Sequence, residues 1–151
     1  MPSYSETRFL PYRPEQMFDL VADVERYPEF LPWCVGARIR ERHADRVIAD
    51  LAVGFMGIRE TFTSTVGIDR DRMLITMQSD RRPFERLDGR WQFGVDSSET
   101  GCVIDFNVDF EFRSRLLGAM MGGVFGDAVR HMVGAFEQRA AVLYGGSVSA
   151  P

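Results

Sequence analysis

Residues 102–112 read Cys102-Val103-Ile104-Asp105-Phe106-Asn107-Val108-Asp109-Phe110-Glu111-Phe112, and just beyond them the period changes. Cys102, Ile104, Phe106, Val108, Phe110 and Phe112 share one parity; Asp105, Asn107, Asp109 and Glu111 take the other. Alternation of this kind marks an antiparallel strand with one face buried and one face wet. From residue 114 to 144, Leu117, Met121, Phe125, Ala128, Met132, Phe136, Ala140 and Leu143 recur instead at helical spacing. That predicts a helix of about 30 residues, roughly 45 Å long at 1.5 Å per residue. Gly145-Gly146 is its stop signal, and residues 147–151 read as a frayed tail.

Working back from residue 102, the same period-two signal repeats between short polar turns. Leu87, Gly89, Trp91, Phe93 and Val95 face one way; Met73 to Met77 forms a short strand. Ile58, Glu60, Phe62, Ser64, Val66 and Ile68 share a parity, preceded by Val47 to Val53 and by Val35, Ala37 and Ile39. Before these strands, Pro14 suits a first helical turn, and Met17, Phe18, Val21 and Ala22 follow at helical spacing. Asp23 is placed to cap a second short helix ending near Pro28. The order is strand, two short helices, six strands, long helix. An α+β architecture follows: a curved antiparallel sheet of about seven strands wrapped around one long C-terminal helix. Length alone favours a single domain, here residues 1–146 followed by the tail.

Composition narrows the function classes. The chain has 151 residues with 18 basic and 22 acidic side chains, a net charge of -4, and every basic residue is arginine. An acidic balance argues against nucleic-acid binding through bulk charge, and DNA is not an expected partner. The N-terminus lacks an apolar signal segment, no stretch is apolar enough to span a bilayer, and Cys34 and Cys102 have no metal-like spacing. A cytoplasmic protein with reduced, buried cysteines is expected.

Motifs for metal and nucleophilic chemistry fail on inspection. Asp105 to Asp109 resembles the start of a calcium loop, but Phe110 stands where glycine is needed and Leu116 where glutamate is needed. His43 and His131 are isolated from each other, and no Ser/His/Asp or Cys/His grouping follows from spacing. No metal site and no catalytic residue is expected.

Two features point to an apolar ligand. Phe62, Trp91, Phe93, Phe106, Phe110 and Phe112 share the face turned to the helix, where they form either a solid aromatic core or the wall of a pocket. Gly118, Gly122, Gly123 and Gly126 open the long helix, each costing about 1 kcal/mol relative to alanine. They permit either close packing on the sheet or a deformable turn beside a cavity.

The segment Arg26-Tyr27-Pro28-Glu29-Phe30-Leu31-Pro32-Trp33-Cys34 resembles the Y-P-x-F-L-P-W-C signature of the coenzyme Q-binding proteins. The likeness continues through Ala49 to Phe55, Phe62-Thr63-Ser64, Trp91-Gln92-Phe93, Phe110 to Arg115 and Ala135 to Ala140, and ends at Leu143-Tyr144-Gly145. It departs at Asp80-Arg81-Arg82-Pro83-Phe84, where that family has D-G-P-F. These proteins belong to the START-like, or polyketide cyclase/dehydrase-like, superfamily, whose fold is the helix grip. The resemblance implies a non-catalytic protein that holds a polyisoprenoid quinone, ubiquinone, in a hydrophobic tunnel and supports its delivery to, or function in, respiratory electron transport. No other cofactor is implied. The expected tunnel residues are Trp33, Phe62, Trp91, Phe93, Phe106, Phe110, Met121, Phe125 and Met132. Phe55 and Met56, at an apolar hairpin tip, are candidates for transient contact with the inner membrane.

Two other classes stay open. Bacterial relatives include RatA, a toxin that binds the large ribosomal subunit and blocks subunit association. Arginines 38, 40, 42 and 46, with 81, 82 and 86, are the residues that would meet ribosomal RNA, although a solvated sheet face explains them as well. A polyketide aromatase or cyclase would need acid and base groups facing the pocket, and only Glu60 and Ser64 have that parity.

Overall fold

A computed structural model describes residues 3–31, 34–55, 58–80, 84–95, 101–121 and 125–145. Strand β1 (Ser3–Leu10) leads into helix α1 (Pro14–Ala22) and a 3₁₀ helix (Val24–Glu29). Strands β2 (Cys34–Arg42), β3 (Arg46–Phe55), β4 (Ile58–Asp69), β5 (Leu74–Ser79), β6 (Phe84–Val95) and β7 (Cys102–Phe112) follow. Helices α2 (Arg115–Met121) and α3 (Phe125–Ala140) and a π-helical turn (Ala141–Gly145) close the chain. The strands form one curved antiparallel sheet in the order β1-β7-β6-β5-β4-β3-β2. The expected element order and architecture are therefore present. Residues 147–151, assigned above to a tail, lie outside the described residues.

Local chemistry explains the boundaries. Pro14 begins α1, where its missing N–H costs nothing, and Gln16 accepts from the Arg13 backbone N–H at 3.0 Å. Asp23 does not cap the next helix through its side chain; the carboxylate pairs with Arg26 at 3.2 Å instead. Strand β5 starts at Leu74 rather than Met73, because Met73 adopts a left-handed φ of 52° to close the turn. Its carbonyl accepts from the Phe93 backbone N–H at 3.0 Å and from Gln92 Nε2 at 3.1 Å, which ties the turn to β6. Strand β6 reaches back to Phe84, beyond the start expected at Leu87. A bulge between Phe84 and Arg86 shifts the pleat, so Phe84 and Leu87 both turn inward.

The helical third differs from expectation in phase. Val129, Val133, Phe136 and Ala140 are buried, while Ala128 and Met132 are half-buried. Leu143, expected on the apolar stripe, is 48% exposed. The last turn is π-helical, and its wider turn carries Leu143 off the buried face. Residues 122–124, within the expected continuous helix, lie outside the described residues. Tyr27 and Phe30 meet Phe136 edge-on at 5.3 and 5.1 Å, fixing the 3₁₀ helix against α3. Arg70, from the β4–β5 turn, donates to Asp19 at 2.8 Å and lies 5.0 Å over the ring of Phe18, fixing α1.

Candidate ligand-binding face

The ladders arrange the inward side chains in rows. Ile68, Ile75, Trp91, Phe106 and Glu6 stand side by side across β4, β5, β6, β7 and β1. Two residues along each strand, the next row is Val66, Met77, Gly89, Val108 and Tyr4. Beyond it come Leu87 opposite Phe110 and Phe84 opposite Phe112; on β3 and β4, Leu51 faces Phe62 and Val53 faces Glu60.

Two aromatic groups occupy this face, with a glycine between them. The first gathers Trp91, Phe93 and Phe106 under α1 and α3. Trp91 lies 4.5 Å from Phe106 and 5.1 Å from Phe136, and Phe93 meets Phe18 at 5.6 Å. The second gathers Phe62, Phe84, Phe110 and Phe112 at the α2 end. Phe62 meets Phe84 edge-on at 5.3 Å, Phe84 stacks on Phe112 at 5.2 Å, and Phe110 touches Phe112 at 5.8 Å. Gly89 sits on β6 between Leu87 and Trp91, facing inward. A Cβ placed there would lie 3.7–3.9 Å from Met77 and Val108, ordinary contact distance, so the floor has room for more than hydrogen at this point.

Five of the nine residues expected to line a tunnel thus lie buried on the inward face, in two groups. Trp91, Phe93 and Phe106 belong to the group packed against helices; Phe62 and Phe110 belong to the group at the α2 end. Met132 is half-buried against the core. Trp33 and Met56 lie outside the described residues. Phe55, Met121 and Phe125 fall within β3, α2 and α3, but their side chains are not among those described. Phe84 is an addition that the sequence reading missed, because the bulge breaks the alternation that would have revealed it.

Polar groups on this face are few and mostly committed. Ser64 is fully buried and donates to the Gln78 carbonyl at 3.3 Å; Ser79 donates to the Thr63 carbonyl at 2.7 Å. The Tyr27 hydroxyl, its pKa pushed up by burial, donates to the Val21 carbonyl. Burial also raises the Cys34 thiol, and both cysteines are buried. Glu60 is half-buried and, among the described residues, has no hydrogen-bond or ion-pair partner.

Strand β1 supplies what sequence patterning overlooked: inward-facing polar side chains. Tyr4, Glu6 and Arg8 are half-buried under α3, where Tyr4 donates to Glu6 at 2.7 Å and Arg8 pairs with Glu6 and, at 2.6 Å, with Glu137. On the outer face, Asp105 and Asn107 accept from Thr7 at 2.7 Å and Ser5 at 2.6 Å, as an exposed strand face would. Of the arginines considered for RNA, Arg40 pairs with Asp50 at 2.7 Å and Arg42 with Glu25 at 3.7 Å. Arg86 stands opposite Glu111 in the ladder, and residues 81 and 82 lie outside the described residues. Asp127 pairs with Arg130 at 3.2 Å, and the His131 ring meets the Asp127 carbonyl at 2.8 Å. An open polar cleft of about 570 Å³ lies on the outer face over Gly67 and Thr76, apart from the aromatic groups. Among the described residues no group of three or more His, Cys, Asp or Glu could hold a metal ion, and no helix is long and apolar enough to cross a membrane.

Known proteins resemble this chain in sequence and in fold. The family described as polyketide cyclase / dehydrase and lipid transport matches residues 10–137. Ribosome association toxin RatA of Escherichia coli is 39% identical over 144 residues, covering 95% of this chain and 90% of that one. Coenzyme Q-binding protein COQ10 homolog B of Xenopus laevis is 34% identical over 94% of this chain, which spans 59% of that protein. The solution structure of an 18 kDa protein from Caulobacter crescentus superposes with a TM-score of 0.78 at 36% identity, covering 96% of this chain and 99% of that one. A START superfamily protein of Mycobacterium smegmatis shares the fold, with a TM-score of 0.80 at 21% identity over 93% of this chain and 98% of that one. The chain therefore belongs to the polyketide cyclase / dehydrase and lipid transport family, and its relatives include a ribosome association toxin and a coenzyme Q-binding protein homolog.

Proposed function

We propose that this protein binds a polyisoprenoid quinone, ubiquinone or a close analogue, between the inward sheet face and helices α2 and α3, and does so without transforming it. The observation that carries the reading is the second aromatic group, Phe62, Phe84, Phe110 and Phe112, continued by Gly89, where the floor carries no side chain. A prenyl tail needs apolar walls and no hydrogen bonds. Burial is worth about 0.8 kcal/mol per methylene, so each isoprene unit contributes on the order of 3 kcal/mol before ordering costs. The first aromatic group closes the far end of this path against α3. Trp33, Met121 and Phe125 complete the lining in this proposal, and Phe55 and Met56 touch the inner-membrane surface when cargo is exchanged. The protein acts within the cytoplasm and at that surface, as one domain over residues 1–146, and supports quinone delivery or function in respiration. Solvent extraction of the purified protein, followed by mass spectrometry, should recover a prenylated quinone. No co-purifying quinone and no saturable binding on titration would overturn the reading.

Ribosome association is the second reading, favoured by the likeness to proteins named ribosome association toxins. It requires arginines free to meet RNA phosphates, whereas Arg40 and Arg42 are engaged with carboxylates. Co-sedimentation with ribosomes at low salt, lost as salt rises, would favour it; a protein that stays in the supernatant at low salt removes it.

A further inference from the structure

Glu60 is the one carboxylate with inward parity on strands β2 to β7 of the described residues, and none of the described residues answers it. Its ladder partner is Val53, its neighbour two residues along the strand is Phe62, and both pack against the core. Among the described residues the β4–β5 ladder begins at Thr65, so the stretch carrying Glu60 has β3 on one side and no described β5 partner on the other. A half-buried carboxylate on an apolar sheet face, with no arginine or backbone N–H among the described residues to satisfy it, is costly unless something supplies a donor.

The nearby polar groups sharpen what that something is. The proton of Ser64 is given to Gln78 and that of Ser79 to Thr63, so neither is offered inward. Glu60 therefore presents acceptor lone pairs at one end of a mostly apolar row of inward side chains about 20 Å long, counted as the six residues to Val66, in the row of Gly89, at about 3.3 Å each. An oxidised quinone head carries carbonyl and ether oxygens, all acceptors, and would set lone pairs against lone pairs. A hydroquinone carries two O–H donors, and a hydroxyl donating to a carboxylate forms one of the stronger neutral-to-ion hydrogen bonds.

We infer that Glu60 is a specificity-determining residue that makes the site prefer the reduced, hydroquinone form of a prenylated ligand over the oxidised quinone. This rests on the quinone-binding reading. It also deepens that reading: a carrier that holds the reduced form more tightly raises the potential of its bound couple, by about 30 mV for each tenfold of preference.

Anaerobic titration of the full chain with a short-tailed ubiquinone, oxidised in one series and dithionite-reduced in the other, tests this through intrinsic tryptophan fluorescence. The reduced form should bind about tenfold more tightly. Glu60→Gln keeps the size and adds N–H donors, so it should bring the ratio to one or below by strengthening quinone binding while weakening quinol binding. Equal affinity of the wild type for both forms, or a preference untouched by Glu60→Gln, overturns the role of Glu60 and leaves the binding reading in place. Failure of the wild type to bind either form overturns both.

Discussion

The indole of Trp91 and the ring of Phe136 meet edge-on, centroids 5.1 Å apart and planes at 70°, and this contact holds α3 to the middle of the sheet. Both side chains are almost fully buried, at 4% and 1% exposure, and Phe136 also touches Tyr27 and Phe30. Truncating it removes one wall from three aromatic contacts at once. Phe136→Ala should cost about 3–5 kcal/mol, the range for a buried aromatic reduced to alanine. Met132→Ala, one turn earlier and only half-buried, should cost less than half as much. Urea denaturation followed by circular dichroism measures both. Equal losses would mean that the helix is not held chiefly through Phe136.

Gly89 offers a way to separate binding from folding. An alanine there meets Met77 and Val108 at ordinary distance, so Gly89→Ala should leave stability within about 1 kcal/mol of the wild type, with an unchanged circular dichroism spectrum. Gly89→Leu sends its branches into the space between the two aromatic groups, where the tail is proposed to lie. Stability should hold or fall modestly, while affinity for a prenylated quinone drops at least tenfold. Isothermal titration on the folded variant decides it, and unchanged affinity would place the ligand elsewhere.

The inward aromatic residues were legible because strand parity has a period of two that does not drift: once Trp91 was assigned a side, Phe93, Phe106 and Phe110 followed. Phe84 was hidden because one bulged residue reverses the parity before Leu87. On the helix a stripe extrapolated over some 30 residues loses phase, since 3.6 residues per turn does not repeat in whole numbers. Hence Ala128 and Met132 were placed where Val129 and Val133 are most buried. The inward face of β1 was unreadable for another reason. Tyr4, Glu6 and Arg8 are polar, and only the fold reveals Glu137 across from Arg8. The inward position of Glu60 is likewise visible in the sequence only as parity; that no described residue pairs with it is a property of the folded chain.

Arg139 is largely covered, with 19% of its side chain exposed. It donates Nη2 to Glu29 at 2.8 Å and lies 5.3 Å over the ring of Phe30. Its Nε is buried without a hydrogen-bond partner among the described residues. An imperfectly satisfied cation is often no better than an apolar side chain of similar size. Arg139→Met should therefore change stability by less than about 1 kcal/mol in either direction. Glu29→Ala should also cost under about 1 kcal/mol, because Glu29 is 47% exposed and water screens the pair. Thermal melts of the two variants and the wild type test this; a loss of several kcal/mol in Arg139→Met would show that the guanidinium is essential to docking the 3₁₀ helix on α3.

Asp50, on the outer face of β3, accepts from Thr63 Oγ1 at 2.7 Å and from Arg40 Nε at 2.7 Å. The Thr63 hydrogen bond first, and then Arg40, hold its carboxyl below the usual aspartate value. A carboxyl that ionises more readily in the folded chain than in the unfolded one adds stability above the unfolded pKa, about 3.9. That stability is lost as the pH falls through the lower, folded value. Asp50→Asn should therefore destabilise the protein at neutral pH, with the difference from wild type shrinking through the acid range and vanishing once both states bind the proton. Thr63→Val removes the larger of the two stabilising contacts and should move the Asp50 titration upward, toward the ordinary aspartate value. Carbon-13 NMR of the Asp50 carboxyl follows the titration directly, and denaturant melts across the acid range follow the stability. A destabilisation by Asp50→Asn that is the same at every pH would show that the ionised carboxylate contributes nothing beyond its shape.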